Sequence, residues 1–552
     1  MKKVLIVGGV AAGASAAARL RRLDESAEII MFEKGEYISF ANCGLPYYIG
    51  GVIEDREDLL VATPELMKDR FNIDVRTNSE VISINYKDKK ISIASKDKGI
   101  YEECFDYLVL APGAKPLKPN IPGIESKKVY TLRNVEDTDK IKSVVDEVKK
   151  AIVIGGGYIG VEMAENLREK GINVTLVEAA PHILAPFDDD LIPVAEKQME
   201  DKGVKLVLGN GVTAFKEASD GIEVELRSGD KVKGDIVIAA IGVTPDTEFI
   251  RNSGIELGPR GHILVNENME TNIKDIYAGG DAVEVVDFVN NTKTAIPLAS
   301  PANKQGRIIA DNISGTNKAY KKTQGTTVIK VFDLCLAATG NNERILNRLN
   351  IPYKVAIIHP NNHAGYYPGA VQITLKLIFN DEGKILGAQA LGYEGVEKRI
   401  DVIAAVIRLK GTIYDLTEME LSYAPPFGSA KDPVNFVGYV AENVLTEKSE
   451  LVHPRELKNI KGNENIVVLD VRTNSERERG AVDGSIHINV NELREKLNTL
   501  DKNKEYWIHC AVGIRAYVAE RILKQNGFKC KNITGGFKSI LAMNYTPKGL
   551  KE

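Results

Sequence analysis

Ala151-Ile152-Val153-Ile154-Gly155-Gly156-Gly157-Tyr158-Ile159-Gly160 reads as a strand, a glycine turn and the start of a helix. The aliphatic run has the continuous apolar character of a parallel strand buried on both faces. The glycines at 155, 157 and 160 follow it at the spacing of a dinucleotide turn: one for the tight bend, one for close approach to a pyrophosphate, one for helix-on-strand packing. The next strand, Val174 to Val177, ends in Glu178, where an acid accepts a hydrogen bond from a ribose hydroxyl. Gly155, Gly157, Gly160 and Glu178 are therefore the expected NAD(P) contacts. Glu178 repels a 2′-phosphate and so favours NADH over NADPH, although Arg168 and Lys170 lie close enough in sequence to compensate.

Working outward, the same construction occurs at the N-terminus. Val4 to Val7 enters Gly8-Gly9-Val10-Ala11-Ala12-Gly13, and Ile29 to Phe32 ends in Glu33, 20 residues after Gly13. Val10 replaces the middle glycine, so this turn is the weaker match. Two such units mean two dinucleotides, most simply one flavin and one nicotinamide nucleotide; the alternative is a pair of folds with one site degenerate. Leu108 to Gly113 is a strand into a tight turn. Ile276 to Ala282 is a strand ending in two glycines and Asp281, an acid free to meet a polyol such as a ribityl chain. Gly8, Gly13, Glu33, Gly113 and Asp281 are the expected FAD contacts.

Between these segments lies Ser39-Phe40-Ala41-Asn42-Cys43-Gly44-Leu45-Pro46-Tyr47-Tyr48. Pro46 suits the first turn of a helix, so Cys43 is expected where unpaired N–H groups favour a thiolate. The next cysteine is Cys104, so no nearby pair closes an internal disulfide. Cys43 must then pair with a small thiol, an oxidised sulfur or another domain. Without the flanking nucleotide folds, a lone cysteine here reads as a small buried hydrophobe.

The 552 residues allow three or four domains, and 43% hydrophobic residues supply their cores. With 72 basic against 76 acidic residues, net charge −4 and no basic block, no nucleic-acid partner is expected. Five scattered cysteines argue against a disulfide scaffold and for a reducing, cytoplasmic setting. Met1 to Ala18 resembles a secretory signal, but it breaks at Gly8-Gly9 and Gly13 and runs into Arg19, Arg21 and Arg22. No apolar run reaches the ~18 residues of a membrane span, so a soluble protein with no membrane partner is expected.

Residues 1 to 445 resemble the pyridine nucleotide-disulfide oxidoreductases. The Ser39 to Tyr48 segment is similar to the single-cysteine coenzyme A disulfide reductases of that family. The resemblance implies an α/β protein with two Rossmann-like domains: FAD at 1–148 and 266–322, NAD(P) at 149–265, then an α+β dimerisation domain at 323–445 and a homodimer. It further implies that the nicotinamide reduces the flavin, which reduces a Cys43 mixed disulfide. Tyr367 and Tyr423 would reach the partner subunit's Cys43 and stabilise the leaving thiolate; otherwise they are interface packing. Arg19, Arg22, Ser39 and Asn42 would hold coenzyme A, or the arginines are a solvated helix face. Peroxidase and oxidase relatives also use one cysteine but carry a histidine in the first glycine turn. This chain has Ala11 there, and its first histidine is His182.

After a polar linker, 446–450, a last unit begins. Ile466 to Arg472 is a strand ending in an acid and a base, and Tyr506 to Cys510 is a strand running into Ala511-Val512-Gly513-Ile514-Arg515 and a helix expected from Ala516 to Gln525. Such a loop turns N–H donors toward the sulfur and makes an anion cradle. It resembles a rhodanese domain over 451–552, with Cys510 as persulfide carrier, Arg515 holding its charge, and no metal. Tyrosine phosphatases share the plan but need five residues between cysteine and arginine; here there are four. The sequence thus describes an NAD(P)H-dependent reductase of coenzyme A disulfide, its persulfide or a polysulfide. The rivals are an NADH oxidase or peroxidase using a Cys43 sulfenate, and a non-catalytic sulfur-relay or redox-sensing module.

Overall fold

The computed structural model describes residues 2–547 and divides into two compact units, Met1–Pro181 with Gly203–Gly325, and His182–Lys202 with Thr326–Glu552. In the first unit the strands Lys3–Val7 and Glu28–Phe32 pair in parallel, joined by the helix Ala11–Leu23. Tyr107–Leu110 and Ile276–Ala278 extend this sheet on one side and Asp74–Arg76 on the other. Val4, Leu5 and Ile6 are fully buried in it, as an unbroken aliphatic run requires.

The second sheet repeats the plan. Lys150–Ile154 lies between Asn173–Val177 and Ile236–Ala239, all parallel, with the helix Tyr158–Glu169 as the crossover. Its edge strand, Val129–Tyr130, comes from before residue 148, so the chain enters this sheet earlier than the expected boundary.

In the second unit an antiparallel sheet runs in the order Thr327–Val331, Leu334–Gly340, Ile385–Gly392, Thr374–Phe379, Lys354–Ile358. A parallel sheet follows, ordered Leu451–Val452, Lys529–Ile533, Glu505–His509, Ile466–Asp470, Ile486–His487. These are the α+β and the C-terminal α/β layers that the sequence calls for.

A charged seam joins the two layers. The ammonium of Lys376, fully buried, meets Asp190 at 2.8 Å, Asp188 at 2.9 Å and the carboxylate of Glu343. His453 and Arg455, at the start of the last domain, bind Asp190 and Glu343, each at 2.8 Å. Removing one partner from such a buried set costs about 3–5 kcal/mol. The 446–450 segment is no free linker either: Ser449 Oγ and Glu450 N both donate to the buried Glu520 carboxylate. Among the described residues no helix is long and apolar enough to cross a membrane.

Candidate active sites at Cys43 and Cys510

The two glycine turns are built alike. Gly8 and Gly155 sit at φ +95° and +105°, where a Cβ would lie 2.1 Å from Ala111 O and 2.3 Å from Ala240 O. At Gly13 and Gly160 a Cβ would lie 1.9 Å from the carbonyls of Gly8 and Gly155, so only glycine lets each helix start there. Glu33 accepts from Gly9 N at 3.0 Å and Glu178 from Gly156 N at 2.5 Å, so each strand-end carboxylate stands beside its own turn. Val10 in the first turn costs nothing that this geometry reveals. At the mouth of the first sheet, Gly113 (φ +70°) lies against Arg133, which reaches Asp281 at 3.4 Å. Both turns fit a dinucleotide: they are cradles that a side chain would fill, with an acid alongside.

Cys43 lies in a single 3-10 turn, Asn42–Gly44, leading into the helix Leu45–Gly50, with Pro46 in its first turn as expected. That helix packs on Tyr158–Glu169 because Gly50 has no side chain; a Cβ there would lie 2.5 Å from Asn166 Oδ1. The packing brings Glu162 close to Cys43 and Tyr47. Although Cys43 reaches solvent, its flank is packed, and desolvation, then the charges of Glu162 and Asp281, push its thiol above the usual range; Arg133 offsets part of this. These work against the thiolate expected at a helix terminus, since a helix of six residues has little dipole to set against burial and two carboxylates. Glu162 itself is pushed up to about 7 by burial and by Glu165.

Ser39 holds a left-handed backbone (φ 47°), pinned by its N–H on Gly9 O at 2.8 Å. Non-glycine residues kept in that region concentrate at functional sites. Beside it the buried Asn42 Oδ1 has no hydrogen-bond partner. Arg19 Nε bonds Asp311 at 2.8 Å, and Arg22 lies over the Phe71 ring, 5.9 Å from its centroid.

In the second unit the loops 362–369 and 422–428 are tied by Ala364 N donating to Gly428 O at 2.9 Å. The hydroxyl standing with Tyr423 is that of Tyr366, 2.8 Å away. Tyr367 instead sets its ring edge-on to His363, centroids 5.7 Å apart. Adjacent residues in this turn face different ways, so the partner of Tyr423 is Tyr366, the neighbour of the residue singled out from sequence.

Cys510 is fully buried at the end of its strand, and Gly513 N donates to Sγ at 3.1 Å. The cradle is closed from behind by Gly536, where a Cβ would sit 2.6 Å from Cys510 O and 3.0 Å from the nitrogens of Val512 and Gly513. Phe537 N and Lys538 N donate to the carbonyls of Cys510 and Ala511 at 2.8 and 3.0 Å. The helix begins at Ile514, not Ala516, which places Arg515 inside its first turn. There both guanidinium NH2 groups bind Glu476, each at 2.7 Å, and Arg515 holds that carboxyl down to about 2. Arg515 is thus paired with Glu476 and also interacts with Cys510, and both partners raise its pKa, while the backbone donor at Gly513 supplies a second sulfur contact. The Thr473 to Glu476 capping box is legible as T-x-x-E, but that its glutamate also receives Arg515 is not. His509, stacked on Phe537, is pushed down to about 4 by burial and stays neutral at neutral pH.

Comparison with known proteins agrees with these parts. Residues 2–306 match the pyridine nucleotide-disulphide oxidoreductase model, 326–433 the dimerisation domain of the same family, and 453–543 the rhodanese-like domain. A coenzyme A disulfide reductase of Staphylococcus haemolyticus is 37% identical over 449 residues, 80% of this chain and 100% of the relative. The crystal structure of reduced Bacillus anthracis CoADR-RHD is similar at 52% identity with TM-score 0.96, covering 98% of each chain. A NAD-dependent persulfide reductase from A. fulgidus is similar at 36% identity with TM-score 0.91, over 98% of this chain and 100% of that one. The chain belongs to the pyridine nucleotide-disulphide oxidoreductase family, in its coenzyme A disulfide reductase branch, with a rhodanese domain at its C-terminus.

Proposed function

We propose that this flavoenzyme uses NAD(P)H to reduce coenzyme A disulfide and coenzyme A persulfide, or a related polysulfide, at Cys43, while Cys510 carries sulfane sulfur. The observation that carries the reading is Cys43 itself: solvent-reaching, in the unit that holds both nucleotide turns, with no second cysteine beside it. FAD, held by Gly8, Gly13, Glu33, Gly113 and Asp281, supplies the two-electron carrier between the nicotinamide and the sulfur. NAD(P)H is held by Gly155, Gly157, Gly160 and Glu178, with Glu178 favouring NADH.

Cys43 attacks the disulfide, the S–S bond breaks, and one coenzyme A thiolate leaves with the electron pair. Tyr366 and Tyr423, acting as a pair, hold a proton for that thiolate; in the homodimer they serve the partner subunit's cysteine. Ser39 and Asn42 contact the coenzyme A, Asn42 through its unpartnered oxygen. The balance is one disulfide, one NADH and one proton to two thiols; with the persulfide, the products are coenzyme A and hydrogen sulfide. On Cys510 the outer sulfur of a persulfide takes the Gly513 N–H. Because the rhodanese domain is bound to its own dimerisation domain through buried groups, coenzyme A, not a swinging domain, carries sulfur from Cys510 to Cys43. The scattered free cysteines fit the reducing cytoplasm.

A Lactobacillus brevis water-forming NADH oxidase is also similar, at 26% identity. Ala11 in the first turn argues against that activity here. The test is steady NADH consumption with coenzyme A disulfide, coenzyme A persulfide and peroxide. The expected result is turnover with the first two only, lost in Cys43→Ser. Cys510→Ser should spare coenzyme A disulfide but lose sulfur uptake from thiosulfate or polysulfide. Disulfide reductase activity surviving in Cys43→Ser refutes the reading.

A further inference from the structure

The first turn of the rhodanese helix Gly536–Met543 has two sets of contacts. One set builds the Cys510 cradle, through Gly536, Phe537 N and Lys538 N as described. The other faces the dimerisation domain. Ser539 Oγ lies 2.9 Å from His359 Nε2, and His359 Nδ1 lies 2.9 Å from Thr374 Oγ1. All three side chains are more than nine-tenths buried. Thr534 Oγ1 accepts from Ile357 N at 2.8 Å, and Lys538 Nζ donates to Gln372 Oε1 at 2.8 Å.

These contacts fall on the base of one loop. Residues 362–371 leave and rejoin the sheet through the Asn361–Gln372 bridge, closed by Asn362 N on Val371 O at 2.8 Å and Ile373 N on Pro360 O at 2.8 Å. His359 and Thr374 flank that base, and Gln372 is part of it. The loop carries Tyr366 at its tip, 75% exposed within its own chain and held by one hydroxyl contact to Tyr423. A tip with so few contacts of its own takes its position from its base.

We propose that the rhodanese helix braces the tyrosine loop, so that His359 and Ser539 are positioning residues of the disulfide reductase reaction in the other half of the enzyme. The inference rests on reading Tyr366 and Tyr423 as the proton-holding pair. One helix turn then serves both sulfur sites, shaping the Cys510 cradle on one side and setting the Tyr366–Tyr423 geometry on the other. In Ser539→Ala the imidazole loses its Nε2 partner in a site that water does not reach, and the loop base loosens.

The experiment is a double-mutant cycle in the full-length holoenzyme. Ser539→Ala should lower kcat for coenzyme A disulfide about fivefold, the effect of one buried hydrogen bond. KM and the bleaching of the flavin by NADH should stay at wild-type values, with the thermal midpoint lowered by the lost hydrogen bond. Ser539→Thr, which keeps the hydroxyl, should restore kcat, and His359→Gln should reproduce the loss. In a Tyr366→Phe background, Ser539→Ala should cost nothing further, because its effect runs through that hydroxyl. Full kcat in both Ser539→Ala and His359→Gln, or an equal loss with and without the Tyr366 hydroxyl, overturns the brace. If Tyr366→Phe alone leaves kcat unchanged, the tyrosine reading has failed and the brace falls with it; if Tyr366→Phe is slow while Ser539→Ala is not, the brace alone has failed.

Discussion

Cys43 and Cys510 make opposite use of the protein around them. Cys43 reaches solvent, receives no backbone donor, and is held above the usual thiol range by its packed flank and by Glu162 and Asp281. Cys510 is fully buried, touched by Gly513 N, and walled by a glycine that admits no side chain. A sulfur that must exchange partners with a bulky substrate needs access. A sulfur that carries one extra atom needs donors fixed at the place where charge will sit. Under the proposed function this contrast is a division of labour, and it can be broken from either side.

The largest effect is expected at the cradle. Gly536→Ala puts a methyl 2.6 Å from Cys510 O, at φ +59°, against backbone that cannot yield without moving Val512 and Gly513. Loading of Cys510 from thiosulfate should fall by roughly 100-fold, the range found when a fixed donor to a charged intermediate is lost. Coenzyme A disulfide reduction, which needs only Cys43, should keep at least half its rate. Mass spectrometry of the protein after thiosulfate, beside a steady-state assay, reads both. Equal loss of the two activities would show that the sites are not separate.

A smaller effect separates the two adjacent tyrosines. Tyr366→Phe removes the hydroxyl that meets Tyr423 and should lower kcat on coenzyme A disulfide about tenfold, the size of one lost hydrogen bond to a charged group. Tyr367→Phe keeps the ring that packs on His363 and should stay within about twofold of wild type. The reverse order would return the role to Tyr367.

What the sequence could say about these sites follows from the range of the interactions involved. The paired glycine turns were legible because their demands are local: strand, φ > 0 at the first glycine, no Cβ at the third, acid at the next strand end. The Cys510 loop is legible for the same reason, since the sulfur and its donor Gly513 lie in one short run of sequence. That Tyr366 rather than Tyr367 meets Tyr423 is not legible, because it depends on which of two neighbours faces a loop 57 residues away, and nothing in Y-Y-P-G marks it. The Cys43 thiolate was expected from a helix start that proved only six residues long, opposite a carboxylate from a different domain. Arg515 interacts with Cys510, but that it is also paired with Glu476 is not legible, since that partner lies 39 positions back in sequence. Glu162, Glu476 and Gly536 act through tertiary contacts, which periodicity and spacing do not encode.

The smallest expected effect tests what holds the Cys43 thiol above the usual range. Burial raises its pKa first, and Glu162 is the leading charge that adds to it. Since the Glu162 carboxyl titrates near 7, its negative charge is mostly absent at about pH 6 and mostly present at about pH 8. Glu162→Gln should therefore leave alkylation of Cys43 by iodoacetamide unchanged at about pH 6. At about pH 8 it should speed the reaction about threefold, by lowering the thiol pKa. Arg133→Met should act in the opposite direction, because its guanidinium is the one charge that favours the thiolate. Cys510, buried and touched by Gly513 N, should react at a rate that neither substitution changes. Site-resolved mass spectrometry of the two cysteines over the pH series gives the answer. A Glu162→Gln rate that matches wild type at both pH values would leave burial alone as the reason for the raised Cys43 thiol, and the carboxylate without a part in it.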